Sequence, residues 1–251
     1  MICQKLDAFF RNNLDIDGFS VIDPSLNGVQ VDNNGADITK IAFAVDANME
    51  TFTQAAQGGA GMLFVHHGLF WAGAQVRVAG SYRRRLQFLL DRNLALYAAH
   101  LPLDQHPRWG NNAILASLLG ITDPEPFGVY RGRKMGYKGT LAAPLTTCEA
   151  AERVGPSALG VYPFGVPVNR SAAVISGGAA DEAQQAIAEG VDLYVTGEMS
   201  HHVYHECLEN GLNMIAGGHY ATEVWGVKEM MRQCAEALPL EVMFIDAPTG
   251  L

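Results

Sequence analysis

Two apolar β-type runs, Ile41 to Val45 and Met62 to Val65, flank a segment of helical character that stops at Gly58-Gly59. Asp46-Ala47-Asn48 ends the first run, and Asn48 is placed to cap a helix over 49 to 57. Strand, helix and strand at this spacing have one economical solution, two parallel strands joined by a right-handed crossover. The same constraint recurs along the chain. A helix from Arg83 to about Arg92 leads into a strand over Leu94 to Ala99, and a helix over Asn111 to Leu119 ends at Gly120. Later come strands at Leu159 to Tyr162, Ala172 to Ser176, Leu193 to Val195, Met214 to Ala216 and Glu241 to Ile245. The helices among them run from Gly177-Gly178 to near Gly190, over about 200 to 209, and from 223 to 237 with Thr222 as cap. Leu6, Phe9, Phe10 and Leu14 put a further amphipathic helix over residues 3 to 14. Between Phe127 and Ala143 glycine, tyrosine and alternation replace this pattern, which predicts antiparallel strands. The class is α/β, with mostly parallel strands and a more antiparallel middle.

Parallel strands bring their carboxyl ends to one edge of a sheet, where open α/β folds bind ligands. Ligand-type residues end four of these runs: His66 and His67, then His100 with Asp104, then Glu198, then His219 with Glu223. Each has an ordinary explanation alone. A histidine pair can cap a strand, and Asp104 can serve a turn. Glu223 in a first helical turn is favoured by the helix dipole, and Glu198, His201 and His202 can form a solvated helix start. Their coincidence at strand ends exceeds what turn statistics supply. Even three histidines and two carboxylates from this set are too many for one catalytic zinc, which takes three protein ligands and a water. They suit two ions, and imidazole mixed with carboxylate favours zinc, iron, manganese, nickel or cobalt over magnesium or calcium. Such a pair sits roughly 3.5–4 Å apart and supplies a water-derived nucleophile without a serine or cysteine. Gly68 and Gly217-Gly218 would let backbone approach the site closely.

Other chemistries find less support. There is no G-x-S-x-G elbow for a serine triad. Gly177-Gly178 reads as an ordinary strand-to-helix turn, since no lysine followed by Ser/Thr makes it a phosphate loop. Asn27-Gly28 within PSLNGVQV reads as a hairpin turn, with a loop lining a site as the functional alternative. The four cysteines form no C-x-x-C pair, so a zinc–thiolate or thioredoxin-like site is not expected. The net charge of −9 argues against a nucleic-acid or anionic-membrane binder. The charged stretch MICQKLDAFFRNNLDID has no apolar signal core, and no run of 18 or more apolar residues occurs in the chain. A cytoplasmic protein is the expectation.

The ordered motifs LNGVQV, VHHGLFW, HLPLDQHP, TGE and GHYATE resemble the NIF-three-like family, whose members are described as dinuclear metal-binding proteins or type-two homologues of GTP cyclohydrolase I. The resemblance covers essentially the whole chain and is closest to short bacterial members without an inserted middle domain. By motif it implies metal ligands at His66, His67, Asp104, His219 and Glu223, with His100 outside the ligand set. Many members have proline after the histidine pair, where this chain has Gly68; His201 and His202 are also left outside the set. It further implies two interlocked α/β domains and a ring-shaped homohexamer. The expected division is a metal-binding domain over 1–125 and 213–251 and a second over 126–212. The implied activity is hydrolysis of a nucleotide or cyclic amide, with attack at C8 of guanine and opening of the imidazole ring. Glu198 or His100 would carry protons. Arg83 to Arg85, or Arg131, Arg133, Lys134 and Lys138, are candidates for phosphate contact, against solvated surface charge as the plainer reading of each. The alternative function is non-enzymatic, a metal storage, delivery or regulatory scaffold protein.

Overall fold

The structure is a computed structural model and describes residues 1–73, 77–155 and 158–251. The first elements are α1 (Cys3–Asn13), β1 (Gly28–Val31), β2 (Lys40–Asp46), α2 (Met49–Gln57), β3 (Met62–His67), α3 (Gly80–Asp91) and β4 (Ala95–Ala98). Next come α4 (Leu101–Asp104), α5 (Asn111–Leu119), β5 (Ile121–Tyr130), β6 (Arg133–Leu145), α6 (Thr147–Val154), β7 (Gly160–Tyr162) and β8 (Asn169–Val174). The chain continues through α7 (Ala183–Ala188), β9 (Leu193–Thr196), α8 (His201–Asn210), β10 (Asn213–Ala216), α9 (His219–Ala237) and β11 (Glu241–Phe244). It divides into two compact units, one of Met1–Leu103 with Val227–Ala247 and one of Asp104–Gly226 with Pro248–Leu251. Among the described residues no helix is long and apolar enough to cross a membrane.

The first unit holds a five-stranded sheet in the order β1-β4-β3-β2-β11. β11, β2, β3 and β4 are parallel, and β1 joins the edge antiparallel to β4. Alternation along β3 sends Leu63 and Val65 to one face, where Phe52 of α2 and Leu89 of α3 join the same core. Phe64 goes to the other face, where Phe10 of α1 meets it and Tyr97 at ring-centroid distances of 4.9 and 4.6 Å. Both faces are covered, which is why these strands read as continuous apolar runs. Asn48 caps α2 as expected: its Oδ1 accepts the Glu50 and Thr51 N–H groups, and Thr51 Oγ1 accepts the Asn48 N–H. The expectation of a hairpin at Asn27-Gly28 is corrected, because β1 pairs with the sequence-distant β4.

The second unit holds a six-stranded sheet in the order β5-β6-β8-β9-β10-β7. β8, β9 and β10 are parallel, while β5 and β6 form the antiparallel hairpin expected from the middle section. Its core gathers Leu115 and Leu119 of α5 with Leu141, Val174, Val195 and Ile215 of the sheet. The left-handed Gly120 ends α5, at φ 79°. One boundary is corrected. The last long helix begins at His219, not 223, so Thr222 lies in its first turn. There Thr222 Oγ1 accepts the Gly177 N–H and donates to the Gly218 carbonyl.

Candidate metal centre

In the first unit the carboxyl ends of β2, β3 and β4 deliver their side chains to one edge. The register sets Asp46 opposite His67, and the Ala99 N–H donates to the Val65 carbonyl where β4 runs out. His66, His67 and His100 each offer one ring nitrogen, and these nitrogens lie within 4.8 Å of one another. Each imidazole is held from behind through Nδ1. His66 Nδ1 is 3.0 Å from the Ala99 carbonyl, His67 Nδ1 2.8 Å from Asp46, and His100 Nδ1 2.8 Å from Asp23. Such a partner fixes tautomer and ring orientation, leaving Nε2 to carry the ligating lone pair. His66 is fully buried, and the indole of Trp71 closes one side at 5.1 Å from the His100 ring.

Asp23 is the residue that sequence reasoning missed here. Its buried carboxylate accepts from His100, from the Ser25 and Leu101 N–H groups at 2.8 and 2.9 Å, and from the Asn27 amide at 2.7 Å. Burial pushes its carboxyl up, and the hydrogen bonds from His100, Asn27 and Ser25 outweigh that and hold it below the ordinary aspartate range. Asn27 in turn accepts the His100 N–H at 2.7 Å. Asn27-Gly28 therefore positions the site from behind and is not a plain turn. The available signal was the Asp-Pro-Ser turn, in which Asp23 accepts the N–H two residues on. Gly68 has a further use within the first unit: a Cβ there would lie 2.4 Å from the Gln30 amide. The glycine makes room for Gln30, whose Oε1 accepts the Leu69 and Phe70 N–H groups.

In the second unit the ends of β8, β9 and β10 lead into Ser176-Gly177, Gly197-Glu198 and Gly217-Gly218-His219. Asp104, buried at the end of α4, accepts from Asn111 Nδ2 at 2.8 Å and from Ser176 Oγ at 2.9 Å. Asn111 is fixed by the Gly226 N–H, 2.6 Å from its Oδ1. A carboxylate oxygen of Glu223 lies within 4.8 Å of one from Asp104. His219 stands between two acids, with Nε2 3.2 Å from Glu223 and Nδ1 2.5 Å from Glu198. The Glu223 hydrogen bond, opposed by burial and aided by Glu198, lifts the His219 imidazole to about 9. Gly177 was read as an ordinary turn. Its backbone is left-handed at φ +66°, and a Cβ would fall 2.1 Å from Glu223 Oε1 and 3.3 Å from His219 Nε2. Only glycine leaves that cradle open.

Each unit thus gathers its own share of the expected residues: His66, His67 and His100 in the first, Asp104, Glu198, His219 and Glu223 in the second. The donor chemistry fits a divalent transition ion, being imidazole with carboxylate and backed by second partners. His201 and His202 stay outside: both are exposed, and His202 Nε2 binds Asp181 at 2.7 Å. Of the basic candidates, Arg83 and Arg84 lie exposed on α3. Lys138 is engaged in ion pairs with Glu189 and Glu125.

The comparisons with known proteins agree on one group. The family described as Duf34/NIF3 (NGG1p interacting factor 3) matches residues 1–250. A protein of Treponema pallidum (strain Nichols), named GTP cyclohydrolase 1 type 2 homolog, is 39% identical, with all of both chains covered. One of the same name from Archaeoglobus fulgidus is 42% identical, covering 100% of this chain and 98% of its own. Among solved structures, protein ybgI, described as of unknown function, superposes with a TM-score of 0.92 at 34% identity over the whole of both chains.

Proposed function

Since the chain belongs to the Duf34/NIF3 family, we propose that it is a divalent-metal-binding protein that hydrolyses a nucleotide or cyclic amide at a centre holding two ions. His66, His67, Asp104, His219 and Glu223 are the proposed ligands. The observation that carries the reading is the pre-arrangement of ligand-type side chains inside each unit. Three imidazoles are oriented through Nδ1 in one, and an aspartate, a glutamate and a histidine are fixed around Gly177 in the other. Bound divalent ions supply Lewis acidity and lower the pKa of water toward neutrality.

The chain's own groups supply the rest. Glu198, half-exposed and bonded to His219 Nδ1, is the group to take up or return a proton at the rim of the centre. His100, with Nδ1 held by Asp23, presents its Nε2 for the same service. The tip of the β5–β6 hairpin carries Arg131, Arg133 and Lys134. β6 runs antiparallel to β8 with Tyr137 opposite Val174, so the hairpin extends past the carboxyl end of β8. That puts three cations on the sheet edge that also bears Glu198 and His219, and they would hold a substrate phosphate.

The name carried by the relatives makes GTP the first substrate to try. Metal-loaded protein incubated with GTP is expected to release formate, against a His66→Ala control. Stoichiometric metal with no formate above that control would leave a metal storage, delivery or scaffold protein. The family resemblance also leads us to propose a homohexameric ring, for which mass photometry should find six chains of 27.0 kDa.

A further inference from the structure

We propose that Asn34-Gly35, in the loop between β1 and β2, is a site of self-modification, where the chain converts its own asparagine to aspartate and isoaspartate with loss of ammonia. The loop lies at the amino ends of β2 and β4, away from the sheet edge that carries His66, His67 and His100. The inference therefore stands apart from the metal centre. The chemistry is intramolecular. The Gly35 nitrogen gives up its proton to water or hydroxide and bonds to Cγ of Asn34. The Cγ–Nδ2 bond breaks, and Nδ2 takes up a proton and leaves as ammonia. Water then opens the cyclic imide at one of its two carbonyls. Opening at the former side-chain carbonyl gives aspartate; opening at the other gives isoaspartate, with an extra carbon in the main chain. Nothing is oxidised or reduced.

Asn-Gly occurs at 27–28, 34–35 and 210–211, and the fold treats the three pairs differently. Asn27 is locked: its Nδ2, the group that would leave, donates to Asp23 at 2.7 Å, its Oδ1 accepts the His100 N–H at 2.7 Å, and Gly28 is buried in β1. Asn210 is the last residue of α8. Its Nδ2 donates to the Glu206 carbonyl at 2.8 Å, and the Gly211 N–H is held in the helix cap by the Cys207 and Leu208 carbonyls. Asn34 and Gly35 are both exposed, in a bend. Asn34 uses its side chain as an acceptor: Oδ1 takes the Ala36 N–H at 3.1 Å and Asn93 Nδ2 at 2.9 Å. Two donors thus face the oxygen on which charge builds as the ring closes. The Gly35 N–H donates to Asn33 Oδ1 at 3.1 Å, in an exposed bond that water can replace. Gly35 has φ +85°, and a Cβ there would meet nothing within 4 Å, so neither a side chain nor a neighbour screens its nitrogen. The aspartate product fits the same place, because a carboxylate accepts from Ala36 and Asn93 as the amide oxygen does.

The full chain is incubated in mildly alkaline buffer, folded and in guanidinium chloride, beside the folded Gly35→Ala variant. Peptide mass spectrometry follows the gain in mass from amide to acid, and fragment ions assign it to a position, since Asn27 and Asn34 share one tryptic peptide. In the folded chain Asn34 is expected to convert and to give two isomeric products, while Asn27 and Asn210 stay amides. In guanidinium chloride all three pairs are expected to convert alike. Gly35→Ala is expected to lose most of the conversion at Asn34, with circular dichroism as the check on folding. An Asn34 that stays an amide in the folded chain overturns the proposal, as does an Asn27 or Asn210 that converts as fast. The same ranking of the three pairs in denaturant would put the selectivity in the sequence and not the fold, and overturns it too. Undiminished conversion in Gly35→Ala, with aspartate as the sole product, overturns attack by the glycine nitrogen.

Discussion

At the residue scale, the groups behind the ligands matter as much as the ligands. Asp23 has no exposed side-chain surface and accepts from four donors. Asp23→Asn puts an N–H where acceptors are needed and should cost about 2–3 kcal/mol in urea unfolding at neutral pH. Its folded-state pKa is depressed, so its contribution is fully present above the unfolded aspartate value and lost as pH falls through the folded one. The gap between wild type and Asp23→Asn should therefore close below about pH 4; a gap unchanged at pH 3 would mean the carboxylate is not the source. Gly177→Ala is a second test. The left-handed backbone costs about 1–2 kcal/mol with a side chain, and the new methyl displaces Glu223. Plasma mass spectrometry should show bound metal cut by at least half in a folded protein. Neither residue was visible as part of a site in the sequence. Asp23 looks like a turn residue and Gly177 a breaker, and only folding shows what each one touches.

At the element scale, strands and caps were legible because their signals are local. The Asn48 capping box closes α2 as its sequence predicts, and Asn48→Ala should lower stability by about 1 kcal/mol, read as an unchanged m value with a lower urea midpoint. The start of α9 was misplaced for an equally local reason. Thr222 has the chemistry of a cap, but its hydroxyl is used inside the first turn to accept the Gly177 N–H. The hairpin assigned to Asn27-Gly28 failed because turn dipeptides say nothing about which strand is the partner. The β5–β6 tip carries the substrate prediction. Arg133→Glu/Lys134→Glu should raise the KM for a phosphorylated substrate about tenfold or more, with metal content unchanged. Equal kcat/KM values for wild type and variant would remove the hairpin from the site.

At the scale of the whole molecule, bound metal should act as a stabiliser, since an unfolded chain scatters its ligands. Zinc at a hundred times its Kd should add about 2.7 kcal/mol to unfolding, and a chelator should reverse it. A melting temperature indifferent to both would contradict a site built from residues so far apart in sequence. The chain by itself determined its α/β class, its strand–helix order and which residue types end its strands. Hydrophobic periodicity, caps and glycine breakers act over a few residues, and the family motifs sit within short stretches. Only the tertiary structure decided that Asp23 meets His100, that Asp46 stands opposite His67, and that Gly177 makes room for Glu223. Those meetings depend on strand order, register and the left-handed turn after β8, which are set by packing between segments tens of residues apart and leave no mark on any one of them.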